Sequence, residues 1–509
     1  MNSYKLNTKR TILVGFAFFL ISAFWQAYDA IVPLALTNHF GLPQWLSGAV
    51  MSLDNVLAVF MLPLFGALSD KISTRYGKRT PFVVIGTVAA IITFIILAFI
   101  DASQVKAISD AGLLVDYNAL KLEEASLKEL ISAAKELGDT ALVAQHEAAL
   151  ETLTVQINNA LETVQLKALE TAMNGWIIVG FIGVLLMVLI SMATFRSPAV
   201  ALMPDVTIKP LRSKGNAIIN LMGTAGGISV LVLGMVFKTS ANLFMNYTGY
   251  VFAVTAIMAL GLVIFIFTVK ERKWAAEMEA DTERLGLNVV SEDGENSASK
   301  RLTKAELTSL LLILASVALW YIGYNSITSK YSVYATNVLG FDYNFTLIVA
   351  QAAAVVAYIP VGIIASKFGR RKTILAGIIL LAAAFFIGNF ITSTVHPAVM
   401  YPVFALAGIG WATINVNSFP MVVELARGGD VGKYTGYYYT ASMSAQIVAP
   451  ILSGVLYDLF TMRTVFFAFG TVFVALSFVT MFFVKHGNAQ DLGGKTAKEM
   501  IADNFGADD

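Results

Sequence analysis

About twelve apolar runs, each roughly 18 to 28 residues long, follow one another along this chain of 509 residues. At 1.5 Å per residue a helix of that length crosses the roughly 30 Å hydrocarbon core of a bilayer. Hydrocarbon admits only segments whose backbone hydrogen bonds close on themselves, so the runs read as transmembrane helices. They occupy 11–36, 45–69, 81–100, 176–203, 216–237 and 250–269, then, after a polar stretch, 307–328, 345–366, 373–391, 399–423, 434–456 and 464–484. Only 14 % of the residues are charged and mean hydropathy is +0.70. An ordinary soluble chain carries about 25 % charged residues, so a soluble multi-domain enzyme is excluded. The first run is too long for the core of a signal peptide and lacks a small-residue cleavage site, which makes it a retained span. With no cysteine in the chain, disulfides, thiolate metal sites and cysteine nucleophiles are excluded as well.

The formal net charge of +1 says nothing about partners, but its distribution sets the topology. With both termini inside, 26 of the 35 Lys and Arg fall on the cytoplasmic side, 8 fall outside, and Arg196 lies within a span. Short basic loops stay cytoplasmic. The clusters are Lys5, Lys9, Arg10; Lys71, Arg75, Lys78, Arg79; Lys209, Arg212, Lys214; and Lys367, Arg370, Arg371, Lys372. This distribution predicts a multi-pass protein of the cell (inner or plasma) membrane with both termini in the cytoplasm.

Two polar stretches interrupt the runs. Residues 271–304, rich in Glu, Ser and Asn, read as a cytoplasmic linker without an apolar face, joining an N-terminal six-helix half (1–270) to a C-terminal one (305–486), with 487–509 as a cytoplasmic tail. Residues 101–172 hold twelve Asp plus Glu, five Lys and no Arg. There Leu127, Leu130, Ala134 and Leu137, and after Gly138-Asp139 a run of Leu150, Leu153, Ile157, Leu161, Val164 and Ala168, keep the period of helices with one apolar stripe. The insert therefore predicts a helical hairpin on the outer face, either a solvated spacer or a surface for a protein partner or a second copy.

An internal repeat ties the halves together. Gly66-Ala67-Leu68-Ser69-Asp70-Lys71, followed by Gly77-Lys78-Arg79, ends the second run; Gly362-Ile363-Ile364-Ala365-Ser366-Lys367-Phe368-Gly369-Arg370-Arg371-Lys372 ends the eighth. The two lie six spans apart, which points to a duplicated six-helix unit.

These motifs, G-x-x-x-D-K … G-K-R and G-x-x-x-S-K-x-G-R-R-K, resemble the signature loop of the major facilitator superfamily. Narrower features are similar to its sucrose-transporter-like branch (solute carrier family 45) and to the glycoside-pentoside-hexuronide:cation symporters. They are the stretch Ser69 to Pro81, the run Arg196-Ser197-Pro198 to Met203-Pro204-Asp205, Trp411 with Asn415, and Gly436-Tyr437-Tyr438-Tyr439. Ser366 departs from the pattern where an acid is usual, and the 72-residue insert is not part of it. The resemblance implies an all-α membrane protein of twelve transmembrane helices in two six-helix pseudo-repeats, the major facilitator fold, here with an extra outer hairpin. It also implies a cytoplasmic charge network of Asp70, Arg79, Arg196 and Asp205 that latches helices in the outward-open state. Gly66, Arg75, Gly77, Gly362, Gly369, Arg370, Arg371 and Glu424 join these as gating candidates.

An ionisable group inside a bilayer costs at least about 2.5 kcal/mol, so each one present needs a reason. Asp29 in the first run and Asp54 in the second reach similar depth by the helical rise, counted from opposite sides. Two carboxylates sharing a low-dielectric site cannot both ionise cheaply, so one is expected to hold a proton or to share a cation, which suits ion coupling by a proton or a sodium ion. Arg196, nine residues before Asp205, has Asp70 and Asp205 as natural partners.

A sugar needs flat rings for its C–H faces and amide, hydroxyl or carboxylate groups for its hydroxyls. Trp320, Tyr321, Tyr324 and Asn325 share one face of the seventh run, and Trp411, Asn415 and Ser418 one face of the tenth. Gln26, Asp29, Asn220, Gln351, Tyr439, Ser442 and Gln446 complete a candidate shell. Each of these residues also has a plain alternative as a helix-packing group, and Trp25 and Trp45 as interfacial belt residues.

His39, His146, His396 and His486 fall in loops or tails, no metal spacing or phosphate loop appears, and the basic clusters are short turns unsuited to nucleic acid. No cofactor is expected beyond a coupling cation. Three readings stand: cation-coupled symport of a sugar or glycoside, export of amphiphilic compounds, and a non-transporting sensor or scaffold. A small-molecule substrate and the lipid bilayer are the partners of the first.

Overall fold

The computed structural model describes residues 6–208, 211–284, 303–423, 425 and 431–486. In chain order the helices are α1 (Thr8–Leu34), α2 (Gln44–Lys71), α3 (Thr80–Asp110), α4 (Val115–Glu136), α5 (Thr140–Asn174), α6 (Ile177–Asp205), α7 (Arg212–Val236) and α8 (Thr248–Thr268). Then come α9 (Glu271–Arg284), α10 (Lys304–Thr328), the short α11 (Tyr331–Val333), α12 (Tyr343–Phe368), α13 (Arg370–Gly388), α14 (Met400–Val423), α15 (Val431–Leu459) and α16 (Met462–Phe482). Among the described residues eleven helical segments are long and apolar enough to cross a membrane, and α12 adds the apolar segment Tyr343–Tyr358. The protein is an all-helical, multi-pass membrane protein.

The packing repeats between the halves. In the first, α1 packs on α7 and α8, α3 on α6 and α8, and α2 on α6. In the second, α10 packs on α15 and α16, α13 on α14 and α16, and α12 on α14. Substituting each helix by its counterpart six spans on converts one set into the other. Across the boundary α2 packs on α15 and α7 on α12, two pairs that the same operation exchanges, and α1 also meets α11.

The insert forms the expected hairpin. Asp139 caps α5 by accepting from Leu142 N–H at 3.0 Å, and Gly138 makes the turn at φ +71°. Leu153, Ile157, Leu161, Val164 and Ala168 form the buried stripe, packed on Ile108, Tyr117 and Phe244. This placement gives the bundle a hairpin end and, opposite it, a linker end.

Both α1 and α11 run on into π turns, Ala35–His39 and Tyr334–Leu339. Pro33, inside α1, has no N–H to give the preceding turn, a local cause for the widened helix that follows. His39 is thus not in a loop: it is fully buried, with Nδ1 2.7 Å from Asp101 Oδ1 and Nε2 donating to Leu243 O at 3.0 Å.

Hydrogen bonds between the halves gather at the hairpin end. Asp458 accepts from the N–H groups of Gln44 and Trp45, both at 2.8 Å, capping α2 where Pro43 offers no side-chain cap. Lys330 Nζ donates to Ser47 Oγ at 2.5 Å, and Asn344 Nδ2 to Thr239 Oγ1 at 3.1 Å. Gly48 and Gly454 let α2 and α15 touch there, because a Cβ on either would lie 2.1 Å from Pro450 O or 2.5 Å from Gln44 O. At the linker end no such bond crosses between the halves among the described residues, and Phe60, Leu64, Leu68 and Tyr437 are exposed. The bundle is closed at the hairpin end and open at the linker end.

The stretch after α8 differs from the sequence expectation. Its first part is helix α9, with Glu271 and Trp274 buried against the first half. The helix is anchored by Arg10, which pairs with Glu277 at 2.5 Å and lies 5.4 Å from the Trp274 ring centre. Trp274 and Met278, one turn apart among eight charged residues, are too short a periodic signal to stand out in the sequence. Cutting the chain after residue 285 and co-expressing the pieces should therefore keep transport, whereas cutting after residue 270 should lose it because α9 leaves the half it packs on. Uptake by cells carrying both pieces, with membrane insertion checked, measures this, and equal activity of the two splits would show that α9 contributes nothing to the first half.

Candidate functional site

Midway along α1, α2 and α6 three charged side chains converge. Arg196 lies within electrostatic reach of Asp54, Asp29 and the Tyr439 hydroxyl, so the group spans the boundary between α15 and the first half. Asp54 accepts from Asn55 Nδ2 at 2.7 Å. The Arg196 guanidinium sits 5.4 Å from the Trp25 ring centre. Asp29 is exposed although it lies in mid-span with helices around it, the position of a residue lining the space between the halves. Tyr28 is fully buried beside both carboxylates, and its hydroxyl has no hydrogen-bond partner among the described residues.

The second half brings aromatic rings to the same space. Tyr324 stacks on Trp411 with ring centres 3.7 Å apart and planes 6° from parallel, and Tyr321 meets Trp411 edge-on at 5.2 Å. The Tyr324 hydroxyl lies within reach of the Asp29 charge and of Tyr358. Gln351 Nε2 donates to Gln26 Oε1 across the boundary, and Gly227 makes room, since a Cβ there would lie 3.0 Å from the Gln351 side chain. Asn415 is half-buried, Asn220 and Tyr439 are exposed, and Asn325 and Gln446 each donate to a carbonyl one turn back on their own helix, Tyr321 O at 2.8 Å and Ser442 O at 3.2 Å.

Trp320 departs from the expected set. It is fully buried on the row Ser316, Trp320, Gly323 and Ile327, which faces α16, where Gly323 sits against Gly470 and Val474. Tyr321, Tyr324 and Asn325 occupy the neighbouring face that meets the cavity. Four residues within six positions cover too wide an arc to point one way.

The latch also differs from the expected one. Arg79 is buried and donates Nε to Asp205 Oδ2 at 2.7 Å, Nη1 to Ser69 Oγ at 2.5 Å and to Gly66 O at 3.5 Å, and Nη2 to Asp70 Oδ1. It joins α2 to α6 within the first half, in a bundle closed at the hairpin end. Arg196 is not a member, because nine residues of helix set it about 13 Å away from Asp205. A residue that sequence reasoning passed over completes the latch: Glu271, the first of α9. Its Oε1 accepts from Lys78 and Arg79 N–H at 2.6 and 2.9 Å, and its Oε2 from Thr80 N–H and Oγ1, both at 2.7 Å. A carboxylate thus caps α3. Gly77, at φ +125°, is required there, since a Cβ would lie 2.2 Å from Glu271 Cδ.

The other gating candidates lie outside this latch. Arg75 is exposed and lies 4.7 Å from the Tyr76 ring centre. Gly369, at φ +88°, turns the chain from α12, which carries Gly362, into α13. Arg370 donates to Pro420 O at 3.4 Å and Arg371 to Phe482 O. Glu424 lies outside the described residues. At the hairpin end, burial pushes the Lys330 ammonium down to about 7, with the Asp458 carboxylate opposing the shift. Closure there costs more as pH falls from about 10 toward 7, and no more below that.

A family model described as Major Facilitator Superfamily matches residues 171–426 and 343–502, and one described as MFS/sugar transport protein matches residues 13–200. The chain belongs to the Major Facilitator Superfamily; it is a membrane transporter and not an enzyme. The curated MFS-type transporter ppzB of Metarhizium rileyi is 32 % identical over 106 residues, which span 21 % of this chain and 21 % of that one. Among solved structures, the inward open conformation of the xylose transporter XylE from E. coli superposes with a TM-score of 0.59 at 14 % identity, covering 97 % of this chain and 99 % of that one. A POT family transporter in complex with 5-aminolevulinic acid gives 0.59 at 11 %, covering 94 % and 96 %. At such identities these likenesses establish the fold alone.

Glu271→Ala should destabilise the protein by about 2 to 3 kcal/mol, since it strands four donors, three of them in buried bonds, and frees α9, and Glu271→Gln by about half that. The thermal unfolding midpoint of the solubilised protein reads this, and an unchanged midpoint for the alanine variant would remove Glu271 from the latch.

Proposed function

We propose that the protein is a secondary active symporter that carries a sugar or glycoside together with a proton by alternating access. The observation that carries the reading is the meeting, across one cavity, of Asp29, Asp54 and Arg196 with the Trp411–Tyr324 stack. Two carboxylates against one guanidinium leave a single negative charge in a poorly solvated site, which one monovalent cation neutralises. The paired rings offer a flat apolar surface, while Gln26, Gln351, Asn415, Asn220 and Tyr439 offer donors and acceptors to hydroxyls. An exporter of amphiphilic compounds would have less use for so many amides. The basic residues near the linker end support a cytoplasmic placement of that end and of both termini in the cell membrane, with the hairpin outside.

Asp29 is the coupling carboxylate in this reading, because it is exposed to the cavity and lies one turn from Gln26 on the same helix. Asp29→Asn keeps size and hydrogen bonding but cannot release a proton. In proteoliposomes with a pH gradient it should abolish uphill accumulation and preserve exchange, with Asp54→Asn milder. Accumulation by Asp29→Asn would pass the coupling role to Asp54 or to a sodium site. Trp411→Ala should weaken substrate binding about three- to tenfold while leaving coupling intact. Sugar affinity unchanged by that substitution would take Trp411 out of the site.

A further inference from the structure

Three amides from three parts of the chain meet at the hairpin end. Asn38, in the π turn after α1, and Asn337, in the π turn after α11, exchange hydrogen bonds across the boundary between the halves: Asn337 Nδ2 donates to Asn38 Oδ1 at 2.7 Å and Asn38 Nδ2 to Asn337 Oδ1 at 3.3 Å. Gln165, from α5 of the hairpin, donates Nε2 to the same Asn38 Oδ1 at 3.1 Å. An amide oxygen has two lone pairs. Those of Asn38 are filled by one donor from the opposite half and one from the insert.

The backbone around them fixes this arrangement. Gly41, at φ +62°, lies so close to the hairpin that a Cβ would stand 1.8 Å from Gln165 O. Gln104 Nε2 bridges His39 O and Ala168 O at 2.9 and 3.0 Å, tying α3, the π turn and α5 together. The two π turns also share a local sequence, Thr37-Asn38-His39-Phe40-Gly41 and Thr336-Asn337-Val338-Leu339-Gly340, with the glycines at φ +62° and +69°. The Asn38–Asn337 pair is thus made by equivalent positions of the two halves, and Gln165 has no counterpart in the second.

We infer that the hairpin is a working part of the gate on its own side of the membrane: Gln165 completes a three-amide clasp with Asn38 and Asn337 that biases the halves toward closure there. When the halves part, Asn337 leaves with its own, while Gln165 stays with Asn38 and keeps its amide oriented for re-closure. The clasp belongs to the gate and acts whatever solute passes, independently of whether that solute is a sugar.

The absence of native cysteine makes the test direct. Spin labels at Ser103→Cys in α3 and Ser393→Cys between α13 and α14, both exposed near the hairpin end, report the separation of the halves by double electron–electron resonance in lipid nanodiscs. Asn337→Ala should lower the ratio of closed to open populations about tenfold, and Gln165→Ala about threefold. Gln165→Glu, which turns an acceptor toward Asn38 Oδ1 at nearly the same size, should lower it further than Gln165→Ala. Adding Gln165→Ala to Asn337→Ala should change little, because Gln165 acts through the pair. A Gln165→Glu distribution matching the parent would overturn the role of the hairpin, and an unchanged Asn337→Ala distribution would overturn the clasp itself.

Discussion

Hydrocarbon offers no hydrogen-bonding partner, so every charge and every free backbone group within the bundle has to be answered by the protein or by water admitted between its halves. The charged residues of the first half follow that constraint in two ways. Arg79 is answered by protein alone, through Asp70, Asp205, Ser69 and the Gly66 carbonyl. Arg196, Asp29 and Asp54 are arranged within reach of one another but are not locked in that way, and Asp29 is open to the cavity. A fully paired charge is a structural fixture, whereas a loosely paired group facing water can change partners. The functional contrast between latch and site follows from this difference in satisfaction.

A rocking transporter needs halves that are rigid within themselves and only weakly bound to each other. The first half gains rigidity from Glu271, whose four accepted hydrogen bonds fasten α9 and the end of the α2–α3 loop to α3. Among the described residues, hydrogen bonds between the halves are confined to one end and to the Gln26–Gln351 contact. In the second half the corresponding arginines, Arg370 and Arg371, reach the backbone carbonyls of α14 and α16.

The helices and the hairpin were legible in the sequence because each rests on many residues sharing one period, so single exceptions do not matter. The site depends on single residues, and there the reading was uneven. Helical spacing grouped Trp320 with Tyr321, Tyr324 and Asn325, although Trp320 faces α16, because periodicity cannot say which of two neighbouring faces meets a cavity and which meets another helix. Charge matching paired Arg196 with Asp205, where the rise of the helix, applied to that pair as it was to Asp29 and Asp54, would have separated them. Glu271 gave no signal, since one Glu in a Glu-rich stretch looks like its neighbours until the fold sets it at the start of α3. Asn38 and Asn337 did give one: the repeated Thr-Asn-x-x-Gly lies at matching positions of the two halves, as the glycine-and-arginine loops do.

That repeat also shows how site and gate are connected. α1 carries Gln26 and Asp29 and continues through Pro33 into the π turn that holds Asn38, about 13 Å further along. α10 carries Tyr324 and Asn325 and continues through buried Lys330 and α11 into the turn that holds Asn337. Each half therefore threads its share of the site and its share of the clasp on one continuous stretch of backbone, interrupted once by a residue that disturbs the helix or anchors it to the opposite half. In the proposed cycle a solute in the cavity would act on Asp29 and Tyr324, and the same two stretches of backbone lead from there to the amides of the proposed clasp. The first half adds a third amide, Gln165, from the insert, so in the proposed clasp the strength of closure is set by a residue on a helix apart from α1 and α10.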